Sequence, residues 1–320
     1  MEYLYSDCSF KKTTMKNLLL IISAMLLTIS LYGQQLPLTD NYFVDKYSLS
    51  SAYAGNSENK NLLLSYRRDW SGVDNAPRTI RLSYHDGFKS NAGIGAKIIL
   101  DKFGVFQSFY GMATYSYRIK VVENKFLLFG LSAGIHQNSI NFSDYYNDPN
   151  FTSDPSMINK DVKSTVRLVS DFSVIYSSGR FQSGLLFSNV SYSDFKYTDV
   201  KVKYSPFVHY QLHANYTIML DGAWEITPIA IYRGGKNIQS QLEVATQFKY
   251  NNRVWGNIAH RGKNVFCLGF GMNASKGILL NYTYNFFTGV TVAGFQNHEL
   301  TVGLKLADFF PKKDDAAVEN

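Results

Sequence analysis

Two short clusters place a histidine next to a carboxylate, the pairing that acid–base and nucleophilic catalysis often use. They are His85-Asp86 and Asn297-His298-Glu299. Both lie in segments whose apolar and polar residues alternate as in a β-strand. Neighbouring side chains of a strand point to opposite faces, so Asp86 is poorly placed to orient His85. The sequence also contains no GxSxG motif and no glycine-rich phosphate loop. These observations predict that the protein is not an enzyme.

The other residues that could hold a metal or a cofactor are scattered. The chain has 2 Cys and 6 His, without a CxxC or an HExxH motif. His209 and His213 are spaced like two ligands on a helix, but their segment alternates like a strand. Cys8 precedes the export signal described below, which would leave Cys267 unpaired and inert. We therefore expect no metal, no cofactor and no disulfide.

The composition is that of a β-rich chain. Aromatic residues make up 15% of it, with 23 Tyr and 23 Phe, and aromatic residues favour strands. Charged residues account for 18%, against about 25% in an average soluble protein. The formal net charge is +7, but no run of five basic residues occurs. A nucleic-acid partner is therefore not predicted.

The N-terminal region has the features of a secretory signal peptide. A basic residue precedes the apolar run Leu18–Leu31, and Gly33 follows it. A basic start, an apolar run too short to span a membrane comfortably and a small residue define such a signal. We expect residues 1–33 to be removed, with Met15 as the true start and residues 1–14 as a mis-assigned extension. An uncleaved anchor helix is the alternative.

The segment His298–Leu306 shows the pattern around which the rest of the chain is organised. Apolar and polar residues alternate in it with a period of two, so they point to opposite faces of a strand. The apolar residues are Leu300, Val302, Leu304 and Leu306; the polar or small ones are Glu299, Thr301, Gly303 and Lys305. Such a strand can cover the core of a soluble protein with its apolar face. In a closed sheet it can instead turn that face to lipid and its polar face to a lumen.

Fourteen strand-like segments are separated by turn signals. They are Asn61–Asp69, Arg78–Asp86, Asn91–Leu100, Phe106–Lys120, Lys125–Asn138, Val166–Tyr176, Phe181–Val190, Pro206–Leu220, Ala223–Tyr232, Gln239–Tyr250, Arg253–Arg261, Asn264–Asn273, Gly277–Phe287 and Gln296–Leu306. An even number of strands is typical of bacterial outer-membrane barrels.

The connections between these segments sort by length. Every second connection is short and polar or contains glycine: Gly87–Ser90, Val121–Asn124, Ser177–Arg180, Asp221–Gly222, Asn251–Asn252 and Ala274–Lys276. The other set contains the long connections Ser139–Thr165, Ser191–Ser205 and Thr288–Phe295. Short turns at one end and long loops at the other are the asymmetry of outer-membrane barrels. A soluble sandwich has no reason to sort its loops in this way.

We therefore predict an all-β fold: a transmembrane antiparallel β-barrel of about 14 strands, of the outer-membrane type. The predicted regions are a signal peptide (1–33), an N-terminal periplasmic or plug segment (34–60), the barrel (61–306) and a flexible tail (307–320). Tyr and Phe near the strand ends are expected to form interfacial girdles. They are Tyr84, Tyr117, Tyr176, Tyr232, Tyr250 and Phe287. The sequence leaves open whether the lumen is plugged.

Several motifs carry a family resemblance. Ala52-Tyr53-Ala54-Gly55 lies near the expected mature start, and residues 67–79 have the spacing Arg-x-x-Trp-x-Gly-x-x-x-Ala-Pro-x-Thr. Further segments are Gly93-Ile94-Gly95, Asp101-Lys102-Phe103-Gly104, Tyr115-Ser116-Tyr117-Arg118, Phe129–Gly134, Trp255-Gly256, Arg261 and Asn297-His298-Glu299-Leu300. Over about residues 34–306 the chain resembles the PorP/SprF family of Bacteroidetes outer-membrane proteins, which is tied to type IX secretion and gliding. Ser50-Ser51 departs from the usual Asn-Pro of that family.

The resemblance implies an outer-membrane component of the secretion machinery that docks periplasmic components and takes part in exporting or anchoring large adhesins. The expected partners are outer-membrane lipid, periplasmic secretion-machinery proteins and a secreted adhesin cargo. Two other classes stay open: an outer-membrane diffusion channel or transporter for small solutes, and a soluble all-β binding protein.

The Arg-to-Thr run supplies the candidate partner-binding residues. They are Arg67, Arg68, Trp70, Gly72, Ala76 and Pro77. Pro77 has a fixed φ and no N–H, so it suits a junction between a loop and a strand. Trp70 could cover the loop or fill the lumen, and Arg67 or Arg68 could pair with Asp74 or Asp101. The run could instead close and stiffen the barrel rim, and both interpretations remain open at this point.

Overall fold

A computed structural model describes residues 38–56, 60–87, 91–141, 162–191, 209–220, 222–235, 238–288 and 296–309. The predicted signal peptide, the interior of the three long connections and the tail from residue 310 lie outside the described residues. Within the described part, no helix has the length and apolarity needed to cross a membrane.

The described chain is almost entirely strand. The long strands are β1 (Asn61–Arg68), β2 (Arg78–Gly87), β3 (Ala92–Phe103), β4 (Phe106–Val122), β5 (Lys125–Ile140), β7 (Arg167–Ser178), β8 (Phe181–Ser191), β9 (His209–Tyr216), β11 (Trp224–Gly235), β12 (Ile238–Tyr250), β13 (Val254–Arg261), β14 (Val265–Ser275), β15 (Ile278–Phe287) and β16 (Gln296–Lys305). Two segments of two residues, β6 (Val162–Lys163) and β10 (Ile218–Met219), lie next to β7 and β9.

These strands form one closed antiparallel barrel. Each long strand pairs with the next along the chain, and β1 pairs with β16, with Leu64 opposite Val302. On the other side β9 pairs with β11, so the described strands have no open edge along the ring. The prediction of a 14-strand antiparallel barrel is confirmed.

The alternation of side chains follows the prediction. On β16, Leu300 is 51% exposed, whereas its neighbour Glu299 is 2% exposed and faces the lumen. On β2, Ile80 is exposed, whereas Thr79 and Arg81 are buried. The outer face thus carries most of the exposed large apolar side chains, and most of the buried polar side chains lie in the lumen, as in a barrel that spans a bilayer.

The two ends of the barrel differ. We call one end the short-turn rim; its tight turns include Glu123-Asn124 and Gly179-Arg180. Asn124 and Gly179 adopt positive φ, which suits Asn and Gly in such turns. At the other end, the long-connection rim, β5, β8 and β15 are followed by the long connections, while Gly104-Val105 forms a tight turn between β3 and β4.

Three short elements complete the described chain. Helix α1 (Lys46–Leu49) and a 3₁₀ turn (Ser51–Tyr53) precede the barrel. Helix α2 (Leu306–Phe309) follows β16, so the start of the predicted flexible tail is a helical turn. Of the aromatic residues predicted at the rims, Tyr117, Tyr176 and Tyr250 are exposed near the short-turn rim, and Tyr232 near the other.

Candidate functional site

The lumen is occupied by the chain that precedes β1. We call residues 38–56 the luminal segment. Most of its side chains are buried, including Tyr42, Tyr47 and Tyr53 at 3% exposure or less. It forms hydrogen bonds to inward-facing residues of β1, β2, β4, β7, β8, β9, β12, β13, β15 and β16. The segment is thus attached to strands around most of the ring.

Asp40 anchors the first part of this segment. One carboxylate oxygen accepts hydrogen bonds from Arg67 Nη1 at 2.5 Å and from Asn285 Nδ2 at 2.7 Å. The other oxygen forms an ion pair with Arg261. Arg67 lies on β1 and Arg261 on β13, so a single carboxylate joins two distant strands of the wall.

The ion pairs extend from Asp40 along the wall, over the adjacent strands β13, β12 and β11. Arg261 Nε donates to Glu243 at 2.8 Å, and Arg233 donates to the same Oε2 atom at 2.5 Å. Tyr42 of the luminal segment donates its hydroxyl to Glu243 Oε1 at 2.7 Å. The buried carboxylates are therefore each shared by guanidinium groups, which is how charges are tolerated in a dry interior.

Glu299 anchors the segment on the other side of Asp40. Its carboxylate accepts the Asp40 backbone N–H at 2.9 Å and the Thr39 hydroxyl at 2.7 Å. Ser65 Oγ donates to it at 2.7 Å, and Arg67 lies 3.4 Å away. Next along the segment, Asn41 donates its amide to Ser65 and Thr301 and accepts from Asn281.

Charge keeps Asp40 ionised although it is buried in the lumen. Burial by itself raises the pKa of this carboxyl, but Arg261 and Arg67 lower it by more. The pKa of Asp40 is consequently held well below its usual value.

The middle of the luminal segment combines a helix cap with aromatic contacts. Asp45 caps α1 by accepting the Ser48 backbone N–H at 3.3 Å and accepts the Ser83 hydroxyl at 2.8 Å. The Tyr47 hydroxyl lies 2.6 Å from Thr114 Oγ1. The Lys97 ammonium lies 5.5 Å from the centre of the Tyr47 ring, within the range of a cation–π contact.

Hydroxyl hydrogen bonds and steric fit hold the last part of the segment. The Ser51 and Ser173 hydroxyls are 2.7 Å apart. A side chain at Gly130 of β5 would collide with the Ala52 backbone, and one at Gly93 of β3 would come within 2.5 Å of the Ala54 carbonyl oxygen. Only glycine leaves enough space at these two positions. Gly93 and Gly130, which belong to two of the motifs shared with the family, therefore pack directly against the Ala-Tyr-Ala-Gly turn.

Apolar contacts fill one side of the lumen. The buried cluster consists of Tyr42, Leu49, Ala52, Tyr53, Leu128, Ile175, Ile229, Ile231, Ala245, Ala259 and Cys267. Four members belong to the luminal segment, and the others point inward from β5, β7 and β11–β14. Cys267 is 6% exposed and is a free thiol packed in this cluster.

The predicted partner-binding residues divide between the lumen and the rim. Arg67 is buried in the lumen, and its carboxylate partners are Asp40, Asp69 and Glu299. The predicted pairing of this arginine with Asp74 or Asp101 is therefore wrong, because the luminal segment supplies a closer carboxylate. Arg68, next along β1, points outward and is exposed.

Trp70, Gly72, Ala76 and Pro77 lie in the loop from β1 to β2 on the long-connection rim. The Trp70 ring packs edge-on against Phe103 at 5.5 Å, and its backbone N–H donates to Asn297 Oδ1 at 3.1 Å. The Asp69 N–H donates to the Pro77 carbonyl at 2.9 Å. These contacts hold the loop against the rim of the barrel. A side chain at Gly72 would meet no atom within 4 Å.

Sequence reasoning missed the residues at the centre of the site. Asp40, Glu243 and Arg233 carried no motif, and Arg261 was noted only as part of the resemblance. What these residues share in the sequence is a charge. Three of them lie in strands whose apolar and polar residues alternate, and Asp40 lies in the segment before the first strand. Among the described residues, no group of three His, Cys, Asp or Glu side chains could hold a metal ion.

The closed 14-strand barrel, its largely apolar outer face and its polar luminal contacts with residues 38–56 define an outer-membrane-type β-barrel. Residues 31–304 match the family described as type IX secretion system membrane protein PorP/SprF. The chain belongs to this family, and fold and family together indicate the outer membrane.

Solved barrels show distant likeness to this chain. The monoaromatic hydrocarbon channel CymD aligns with a TM-score of 0.49 at 10% identity, over 85% of this chain and 93% of CymD. The Pseudomonas putida toluene transporter TodX aligns with 0.48 at 10% identity, over 79% and 91%. Acinetobacter baumannii Omp33 aligns with 0.46 at 8% identity, over 78% and 98%. No curated protein matches the chain.

Proposed function

We propose that this protein is a docking component of the type IX secretion and gliding system in the outer membrane. In this role it holds periplasmic machinery and exports or anchors a large surface adhesin. Membership of the secretion family supports the general role. The observation that supports the specific proposal is the luminal segment, which buried ion pairs of Asp40 hold inside the barrel.

The two rims suit different partners in this proposal. Short turns of outer-membrane barrels are periplasmic and long loops are extracellular. The periplasmic machinery would therefore meet the short-turn rim, from which β4 and β5 extend with Ile119 and Val121 exposed. The adhesin would meet the long-connection rim, where Trp70, Gly72, Ala76 and Pro77 form a tethered loop with Arg67 fixed beneath it.

The alternative of a diffusion channel has less support. A channel for small solutes needs a continuous luminal path, and the luminal segment contacts strands around the ring. Recording currents across planar bilayers tests this alternative directly. We expect the purified chain to show no discrete openings; stable single-channel steps in the wild-type protein would favour the channel.

A gene deletion tests the docking role. We expect surface display of at least one large adhesin to fall in the deletion strain and to return with the wild-type gene, as measured by labelling intact cells. Capture of the tagged protein from native membranes should bring down periplasmic secretion components. Unchanged display of every large adhesin would contradict the proposal.

The rim loop can be tested separately with a matched pair of variants. Val73 lies in the loop next to Gly72 and is 38% exposed, and Val166 lies on the same rim and is 53% exposed. We expect Val73→Glu to reduce adhesin display and Val166→Glu to leave it unchanged. Equal display by both variants, each present at wild-type level, would remove the loop from the docking surface.

A reversible tether separates docking from export through this lumen. The Ser51 and Ser173 hydroxyls are 2.7 Å apart, so Ser51→Cys with Ser173→Cys places two thiols within reach of a disulfide. If cargo passes through this barrel, oxidation should stop display and reduction should restore it. If the barrel only docks partners, the tethered protein should still support display. The single Ser51→Cys variant is the control.

A further inference from the structure

Basic side chains form a row on the outer face of the barrel below the long-connection rim. Arg68 of β1 is directly opposite Arg78 of β2, and Arg78 is directly opposite Lys102 of β3. On the other side of Arg68, the opposite residue is His298 of β16. Side chains directly opposite each other in antiparallel strands have Cβ atoms about 4.5–5.5 Å apart. We call these four residues the basic row.

The basic row faces away from the lumen. Its luminal neighbours Arg67, Thr79 and Glu299 are buried, whereas Arg68 and Arg78 are exposed and Lys102 and His298 half-buried. Within the described chain, neither Arg68 nor Arg78 forms an ion pair. The nearby carboxylates have other partners than Arg68 and Arg78. Asp69 and Glu299 form ion pairs with Arg67, and Asp101 accepts a hydrogen bond from the Thr79 hydroxyl. Asp74, in the β1–β2 loop, is exposed.

Apolar rows lie directly beneath the basic row on the same four strands. The first contains Leu300, Tyr66, Ile80 and Leu100, which are opposite one another in register and 41–51% exposed. The next contains Val302, Leu64, Leu82 and Ile98. On each of these strands, an outward-facing apolar residue and an outward-facing basic residue are therefore only two positions apart.

This arrangement is costly unless an anion lies on it. Like charges directly opposite one another on a sheet destabilise it, and Arg68 and Arg78 form such a pair. Arg recognises phosphate through paired N–H donors, and Lys supplies a compact positive charge. An occupant with a phosphate at the level of the row and hydrocarbon below it would satisfy both parts of the surface.

We propose that Arg68 and Arg78, flanked by Lys102 and His298, bind the phosphate headgroup of an anionic membrane lipid. The acyl chains of that lipid would lie along the apolar rows of β16, β1, β2 and β3. The assignment rests on the register and the exposed side chains of the barrel and does not depend on the role in secretion.

Thermal unfolding of the full mature chain in a zwitterionic detergent tests this site. The probes are phosphatidic acid, phosphatidylcholine and inorganic phosphate. We expect phosphatidic acid to raise the midpoint of the wild-type protein, because a ligand that binds only the folded state stabilises it. The other two probes should raise it much less. In Arg68→Gln with Arg78→Gln, the apparent affinity for phosphatidic acid should fall at least about tenfold, which a loss of two charge-assisted contacts predicts.

A matched control removes the same charge from the opposite rim. Arg253 and Lys276 are exposed in turns of the short-turn rim, so Arg253→Gln with Lys276→Gln should keep the wild-type response to phosphatidic acid. Without added lipid, the Arg68/Arg78 variant should unfold at the same or a higher temperature than wild type, because facing like charges have been removed.

Three results would overturn the proposal. The first is an equal gain from phosphatidic acid in the Arg68/Arg78 variant and in wild type. The second is an equal gain from inorganic phosphate and phosphatidic acid, which would make this a free-anion site. The third is a lower midpoint of the variant in the absence of lipid, which would make the row a structural feature of the barrel.

Discussion

At residues 39–42 the luminal segment is joined to the barrel by charges and amides, whereas at residues 51–55 it is joined by uncharged hydroxyl hydrogen bonds and by close fit to glycines. The first end depends on Asp40 between Arg67 and Arg261. The second depends on Gly130 and Gly93, which leave no room for a methyl group. Both ends are buried and belong to one continuous chain, so they can be compared within a single molecule.

The difference shows how each end can be released. Ion pairs buried in a lumen are strong only as a complete set, because removing one partner leaves the others charged and desolvated. A steric fit has no such dependence, and it fails in proportion to the volume added. The charged end is therefore the more sensitive to a single substitution.

The largest effect is expected from Asp40→Asn. The change keeps the shape of the side chain but removes the carboxylate that Arg67 and Arg261 share. Because Arg67 keeps Asp69 and Glu299 and Arg261 keeps Glu243, we expect the lower end of the range for a broken buried pair, about 3 kcal/mol. Equilibrium unfolding in detergent measures this loss, and hydrogen exchange should show the region around residues 39–42 opening first. Asp74→Asn is the control, since Asp74 is exposed and its loss should change stability by less than about 0.5 kcal/mol. Equal losses in the two variants would contradict the role of Asp40.

Gly130→Ala should disrupt the other end by a smaller amount. The added methyl group would meet the Ala52 backbone, and overpacking of this kind costs about 1–3 kcal/mol. Gly256→Ala is the matched control, because a side chain there would meet only the Gly269 carbonyl oxygen, at 3.8 Å. Unfolding midpoints of the two variants check the comparison. A loss at position 256 as large as that at position 130 would mean that the luminal segment is not responsible.

Tyr42→Phe should have a smaller effect again. It removes one hydrogen bond to Glu243, which keeps its two arginines, so we expect a loss of about 1–1.5 kcal/mol. Tyr66→Phe on the outer face, where the side chain is 45% exposed, should be nearly neutral. Urea unfolding of the two variants in parallel measures the difference. If Tyr42→Phe does not change the free energy of unfolding, the Tyr42 hydroxyl does not help to hold residues 39–42 in the lumen.

The pH dependence should be the smallest effect near neutrality. The folded pKa of Asp40 is depressed below 3.8, so its stabilising contribution is present above that value and is lost only as the pH falls through the lower, folded pKa. Protection of residues 39–42 from hydrogen exchange, corrected for the intrinsic rate, should be constant from about pH 8 to about pH 5. Loss of protection within that range would show that a different group controls this end.

Much of the fold could be predicted because it is encoded locally. Leu300 and Glu299 are neighbours in the chain, and the period of two places them on opposite faces in any strand. The number of strands and the division between short turns and long connections follow from the same kind of reading. The family resemblance pointed to Arg67, Trp70 and Arg261 without giving their contacts.

The partners of the luminal charges could not be predicted in the same way. Parity places Glu299 and Lys97 in the lumen, but it does not say which of several luminal cations each carboxylate meets. Arg67 or Arg68 was expected to pair with Asp74 or Asp101. Arg67 instead meets Asp40, because the luminal segment brings that residue to it. Residues 38–56 have weak periodicity, so nothing local predicted their path.

The sequence by itself determined a two-faced strand repeated around a closed wall, because the side-chain period of a strand needs no distant contact. Only the tertiary structure decided that the chain before β1 turns back into the lumen and joins Arg67 to Arg261 through Asp40. The same holds for the basic row, whose members become neighbours through the register of β16, β1, β2 and β3. Asp40 and Arg261 are far apart in the chain, and His298 meets Arg68 only because the barrel closes, whereas Arg68, Arg78 and Lys102 meet through the register of consecutive strands.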